Sequence, residues 1–144
     1  MFMGTFQHTL DTKNRLIVPA KFRNQLGETF VVTKWMENSL HAFTLEGWQD
    51  FSEKLNQLPN TNKDARRFRR FIYAGAVEAE FDKQGRISLP ADLKEYAGIL
   101  KDVTLFGNGD DSFEIWSAEK WTEYNSETAD DFDDIASGLM DLGF

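Results

Sequence analysis

Polar and apolar residues alternate over 4–10, with Phe6, His8 and Leu10 on one side. They alternate again over 75–81, with Val77, Ala79 and Phe81 on one side. A period of two marks a half-buried strand. Each stretch runs into a polar turn, Lys13-Asn14 and Gln84-Gly85. An apolar return follows, Arg15 to Val18 and Arg86 to Leu89. A two-residue hairpin turn needs positive φ, which Gly adopts freely and Asn tolerates, so two hairpins are predicted. Pro19 and Pro90 stand where proline is best accepted, at the first position of short helices over 19–26 and 90–97. Gly27 and Gly98 suit the position just past each helix. Further strands are predicted near 29–34, 40–44, 101–106 and 112–116. Leu45, Trp48, Phe51, Leu55 and Leu58 recur at helical spacing, and Pro59 breaks the run. Residues 63–74 read as another helix with Ala65, Phe68, Phe71 and Ile72 inward and Arg66, Arg67 and Arg70 toward a polar side. A last helix starts near Ala118, with Trp121 and Tyr124, and leads into an acidic segment with an apolar end, Leu139 to Phe144.

The pattern is doubled. Gly4 to Gly27 aligns without gaps on Gly75 to Gly98 at a constant offset of 71, matching Asp11 with Asp82, Arg15 with Arg86 and Pro19 with Pro90. The likeness continues with small insertions, Leu40 to Trp48 corresponding to Phe113 to Trp121. This divides the chain into one repeat over 4–48, a second over 75–121, connecting helices over 49–74 and an acidic helical tail over 122–144. The fold class is mainly β with helices, α+β.

The chain has 144 residues and no Cys, which excludes disulfides, thiolate metal sites and a Cys nucleophile. With His8 and His41 far apart in sequence, neither a His-rich metal site nor a Ser-His-Asp triad is visible, so neither enzyme nor cofactor is expected. No apolar run approaches the roughly 20 residues of a membrane helix, and the N-terminus lacks the basic flank of a signal peptide. A cytoplasmic location is expected. The net charge of -8 is uneven. Residues 1–72 hold 11 Lys/Arg and 7 Asp/Glu, whereas 73–144 hold 5 and 17. A nucleic-acid surface needs a local basic patch rather than a basic chain, so the asymmetry leaves DNA open.

Lys13, Arg15, Lys21 and Arg23 form a basic cluster around the first turn. The second copy has Lys83 and Arg86 but Asp92 at the place of Lys21. Copy one is therefore expected to dominate phosphate contact. Each arginine follows an aspartate by four residues, close enough for an ion pair across the turn. Such a carboxylate can hold the guanidinium while its other edge meets guanine O6/N7 or a phosphate. The run ARRFRR over 65–70 reads as a helix face pairing with acidic groups of the other copy or of a neighbouring subunit. The DDFDD segment lacks the spaced ligands and turn Gly of a calcium loop, and no metal site is expected. Gly107-Asn108-Gly109 is a hairpin loop without the Lys-Ser/Thr of a phosphate loop.

The paired stretches DTKNRLIVPAKFR and DKQGRISLPADLK share the form Asp-x-x-x-Arg-x-x-x-Pro. With the opening MFMG and closing Gly-Phe, the whole chain resembles the MraZ family within the AbrB/SpoVT superfamily. That resemblance implies a swapped-hairpin β-barrel built within one chain from the two copies. It implies a sequence-specific DNA-binding transcriptional regulator, with repression the favoured sign, acting on its own division and cell-wall gene cluster. It further implies short tandem promoter repeats in double-stranded DNA as the partner, a homo-oligomeric ring and nucleoid association. No small-molecule substrate or membrane is implied. By the motif, Arg15 and Arg86 are the reading arginines, with Lys13, Lys21, Lys83 and Arg23 around them. Asp11, Asn14, Asp82 and Gly85 are the supporting positions. Asn14 departs from the family's Gly, and Ser88 stands where copy one has Ile17. The competing reading is an antitoxin-type protein-binding module whose acidic tail engages a partner.

Overall fold

The computed structural model describes residues 1–143; Phe144, the end of the predicted apolar terminus, lies outside the described residues. Copy one supplies β1 (Thr5–Thr9), β2 (Arg15–Ile17), α1 (Ala20–Leu26), β3 (Thr29–Trp35), β4 (Ser39–Phe43), α2 (Leu45–Asn56) and α3 (Lys63–Gly75). Copy two supplies β5 (Val77–Glu80), β6 (Arg86–Ser88), α4 (Ala91–Tyr96), β7 (Asp102–Gly107), β8 (Ser112–Ser117), α5 (Ala118–Asp130) and α6 (Phe132–Gly138). Pro19 and Pro90 sit one position earlier than predicted, as the residues preceding the first helical turn, with ψ near 138° and 148°.

All the strand pairs are antiparallel. A six-stranded sheet has the order β1-β7-β8-β4-β3-β5, and β2 pairs with β6 apart from it. The pairing is reciprocal between copies: β1 lies on β7 of the second copy, and β5 on β3 of the first. The return strands also meet across copies, Leu16 opposite Ile87. Because those two residues are equivalent in the repeat, a pseudo-twofold axis passes between them. Its other end lies between His41 and Glu114, which face each other in β4–β8. Among the described residues no hydrogen-bonded barrel closes, and β1 and β5 remain the edges of the larger sheet.

The core lies between the sheets and the short helices. Leu16, Val18 and Phe22 from copy one meet Ile87, Leu89 and Leu93 from copy two, with Phe30, Leu105, Phe113 and Ile115 beneath. Phe22 packs 4.9 Å from Phe113, and Phe2 packs 5.3 Å from Phe22, ring to ring. Neither copy has a complete core alone, so the repeats fold as one unit.

The helices that follow the sheet are capped as their sequences dictate. The Thr44 and Asn62 side chains accept the Gly47 and Ala65 N–H groups at 3.0 and 2.9 Å. Ile72 of α3 is buried, and Thr33 donates to its carbonyl at 2.7 Å. Phe68 and Phe71, predicted to point inward, are instead 37% and 47% exposed. Helical spacing identifies an apolar stripe but not whether one chain has enough surface to cover it.

His41 is buried between Trp35 and Phe43, each ring centroid 4.3 Å away, and its Nδ1 has no hydrogen-bond partner among the described residues. Burial lowers its pKa to about 4. Unfolding lets the imidazole take up a proton near its ordinary 6.5, so its stabilising effect is complete above that pH and is lost as pH falls toward 4. Burial raises the Glu114 pKa, which works in the opposite direction over the acid range. Comparing wild type with His41→Gln therefore isolates the imidazole. The difference in unfolding free energy should shrink by at most ~3 kcal/mol between pH 7 and 4. Urea titrations with a pH-independent difference would contradict this.

Candidate nucleic-acid interface

Each hairpin tip is organised by its aspartate. The Asp11 Oδ1 accepts the N–H groups of Lys13 and Arg15, both at 2.9 Å, and Oδ2 accepts Arg15 Nε at 2.6 Å. Asp82 repeats the arrangement with Gln84, Arg86 N–H and Arg86 Nε at 2.9, 2.9 and 2.8 Å. The Arg15 N–H, aided by its guanidinium, holds the Asp11 carboxyl below the usual carboxylate range, and Arg86 does the same for Asp82.

The turn itself differs from the two-residue form predicted. Asn14 N–H donates to the Asp11 carbonyl at 3.0 Å, and Asp11 N–H to the Arg15 carbonyl at 3.1 Å. The loop therefore has three residues, Thr12, Lys13 and Asn14, with the left-handed conformation at the last of them. Asn14 has φ 58° and Gly85 has φ 77°. One positive-φ position suffices because the aspartate side chain closes the rest of the turn. Asn14→Gly should change stability by less than about 1 kcal/mol, whereas Asn14→Val, strained at this φ, should cost more than that. Urea midpoints that place Val level with Gly would refute the turn's role.

The β2–β6 ribbon presents Arg15 opposite Ser88 and Ile17 opposite Arg86. Leu16 and Ile87 point into the core, so these four alternate residues form the outward face. The two arginines belong to one site: Asp11 Oδ2 also lies 3.6 Å from Arg86 Nη1, across the copies. Two aspartates offset the two arginines locally. The uncompensated positive charge there thus comes from the exposed Lys13, Lys21 and Lys83 and from Arg23 and Lys94, which bond only uncharged oxygens.

Arg23 is half-buried and donates to the Val18 carbonyl at 2.7 Å. Its guanidinium lies over Gly85, where a Cβ would stand 2.5 Å from Nη1. Arg23 therefore braces the opposite hairpin. Lys94, its equivalent at the same offset, donates to Asn14 Oδ1 at 3.0 Å and braces the other. The basic cluster read from the sequence lacks Lys94, although the repeat alignment matches it to Arg23. Ile17, 42% exposed, was likewise missed as part of the outward face.

The arginine run on α3 lies elsewhere. Arg69 donates to the Leu55 carbonyl at 3.1 Å and to Asn60 Oδ1 at 2.6 Å, and Arg66 to the Asn60 carbonyl at 2.8 Å. These bonds hold the α2–α3 connection. The expected pairing with carboxylates of the other copy is not made: among the described residues the ion pairs are confined to Asp11, Asp82, Arg15 and Arg86. Among the described residues no group has a metal-binding arrangement, and no helix is long and apolar enough to cross a membrane.

A family model described as "MraZ protein, putative antitoxin-like" matches residues 1–71 and again 72–142. A protein named transcriptional regulator MraZ from Leuconostoc mesenteroides is 64% identical over 142 residues, 99% of each chain. Namesakes from Leuconostoc citreum and Oenococcus oeni are 60% and 61% identical, over 100% and 99% of each chain. The chain belongs to the MraZ family.

Proposed function

We propose that this member of the MraZ family is a sequence-specific DNA-binding transcriptional regulator that presents the β2–β6 ribbon and its two hairpin tips to double-stranded DNA. The observation that carries the reading is the placement of Arg15 and Arg86 on one outward face, each guanidinium oriented through Nε by an aspartate. Binding through Nε leaves the terminal nitrogens of Arg15 available for a bidentate contact with guanine O6/N7, whereas those of Arg86 already face Asp11 and Gln84. A two-stranded ribbon fits the major groove, and Lys13, Lys21 and Lys83 on its flanks suit the phosphates. The reciprocal exchange of first strands between copies supports reading the two sheets as a swapped-hairpin barrel. The names of the relatives support the regulatory role.

The finer expectation is autoregulation, with repression favoured, through tandem repeats upstream of the chain's own gene cluster, bound by a ring of subunits. A single protomer offers few cations and carries a net charge of -8. Useful affinity then comes from linked protomers, each further contact being effectively intramolecular. A mobility-shift titration on that upstream DNA tests the reading. Affinity should rise at least about 100-fold from one repeat to four and fall steeply between 50 and 200 mM salt, as counterion release requires. No retarded complex on that DNA, or equal affinity for one repeat and four, would sink it. An antitoxin-type module would instead co-purify with a stoichiometric protein partner and ignore the DNA.

A further inference from the structure

The tail and the outer face of α3 are complementary, and neither is covered within the chain. Helix α6 follows α5 after the single residue Asp131, whose N–H is still bonded to the Glu127 carbonyl, while Ile135 N–H reaches the Asp131 carbonyl. The rod therefore runs on with no slack to fold back. Its apolar stripe, Phe132, Ile135 and Leu139, is exposed, and so are Met140 and Leu142 beyond. From 122 to 144 the sequence has seven carboxylates and no Lys or Arg.

On α3, Phe68 and Phe71 line a pocket of about 120 Å³ with Met36 and Tyr96. Met36 is 54% exposed. Arg67 and Arg70, one residue before Phe68 and Phe71, are exposed beside it and form no ion pair among the described residues. Lys34 adds a third cation, its Nζ 5.1 Å from the Phe71 ring centroid. A second apolar patch, around Trp116 and Tyr124, is bordered by Glu37, Glu123 and Glu127 against the single cation Lys120, and would repel the tail.

We infer that the acidic tail of one copy docks on the α3–Met36 groove of a second copy, its apolar stripe against Phe68 and Phe71 and its carboxylates against Arg67 and Arg70. Donor and acceptor surfaces differ, so the contact is head-to-tail, the kind that generates rings when it closes. The inference rests on the assembly reading above and names the surface that carries it.

The test uses the intact chain, which has no cysteine of its own. Phe71→Cys and Leu139→Cys proteins, mixed and oxidised, should give a covalent dimer. The chain carrying both should give a ladder of multimers. A pairing of Leu139→Cys with Gln49→Cys on the exposed side of α2 should give neither. In parallel, Arg67→Glu with Arg70→Glu should raise the concentration needed for assembly at least about a hundredfold, since like charges then face each other. Adding Asp133→Lys and Asp134→Lys should restore it. An assembled wild type with no selective cross-link, or with charge reversal harmless, overturns the docking surface and leaves assembly standing. A monomeric wild type overturns both. A cross-linked monomer from the double-cysteine chain shows the tail docking in cis and overturns the inference.

Discussion

Arg15→Ala is expected to abolish specific DNA binding while leaving the fold and the assembly intact. One bidentate base contact is worth about 1–3 kcal/mol. Because every protomer on a tandem site loses the same contact, the measured loss compounds well beyond one contact's roughly 5- to 150-fold. The fold should survive because Asp11 Oδ1 bonds the backbone N–H groups of residues 13 and 15, which alanine keeps. Arg15→Lys should rescue little, since an ammonium has no planar fork to share between Asp11 and a base. Arg86→Ala should cost less. That guanidinium is already engaged by Asp82, by Asp11 and, through Nη2, by Gln84 Oε1 at 3.1 Å. The measurement is mobility-shift affinity beside circular dichroism and particle mass. Arg15→Ala with unchanged affinity and normal assembly would remove Arg15 from the interface.

Gly107→Ala is expected to be among the most destabilising single substitutions in the chain. A Cβ there would lie 2.2 Å from the Phe2 carbonyl carbon and oxygen and 2.3 Å from Met3 N. These are backbone atoms, so no side-chain rotation relieves the overlap. The N-terminal segment continues the antiparallel β1–β7 register here and closes on Gly107: Phe2 and Gly109 exchange hydrogen bonds of 2.6 and 3.1 Å, and Gly107 N–H donates to the Gly4 carbonyl at 3.0 Å. This close approach seats the fully buried Phe2 ring against Phe22 and Phe113. Displacing it should cost about what Phe2→Ala costs, roughly 3–5 kcal/mol. The two changes should be far from additive because both empty the same site. Urea unfolding of the two single variants and the double variant checks this. Wild-type stability for Gly107→Ala would mean that the segment does not pack so closely on Gly107.

The strands, the helices after them and the two hairpin motifs were legible along the chain. Alternation, helical spacing, capping residues and the 71-residue repeat are local signals, and local backbone preference largely obeys them. The Asp11–Arg15 and Asp82–Arg86 pairs were legible for the same reason, since four residues separate the partners in each. Tertiary structure alone decided how the copies are joined. That β1 pairs with β7, and β2 with β6, depends on partners distant in sequence, and no local periodicity names a partner. The bridging of both arginines by Asp11, the bracing of each hairpin by Arg23 or Lys94, and the close approach of Phe2 to Gly107 all follow from that exchange. Which apolar residues stay uncovered was also decided there. A stripe such as Phe68 and Phe71 shows in the sequence, but its exposure depends on how much surface the rest of the chain can bring against it.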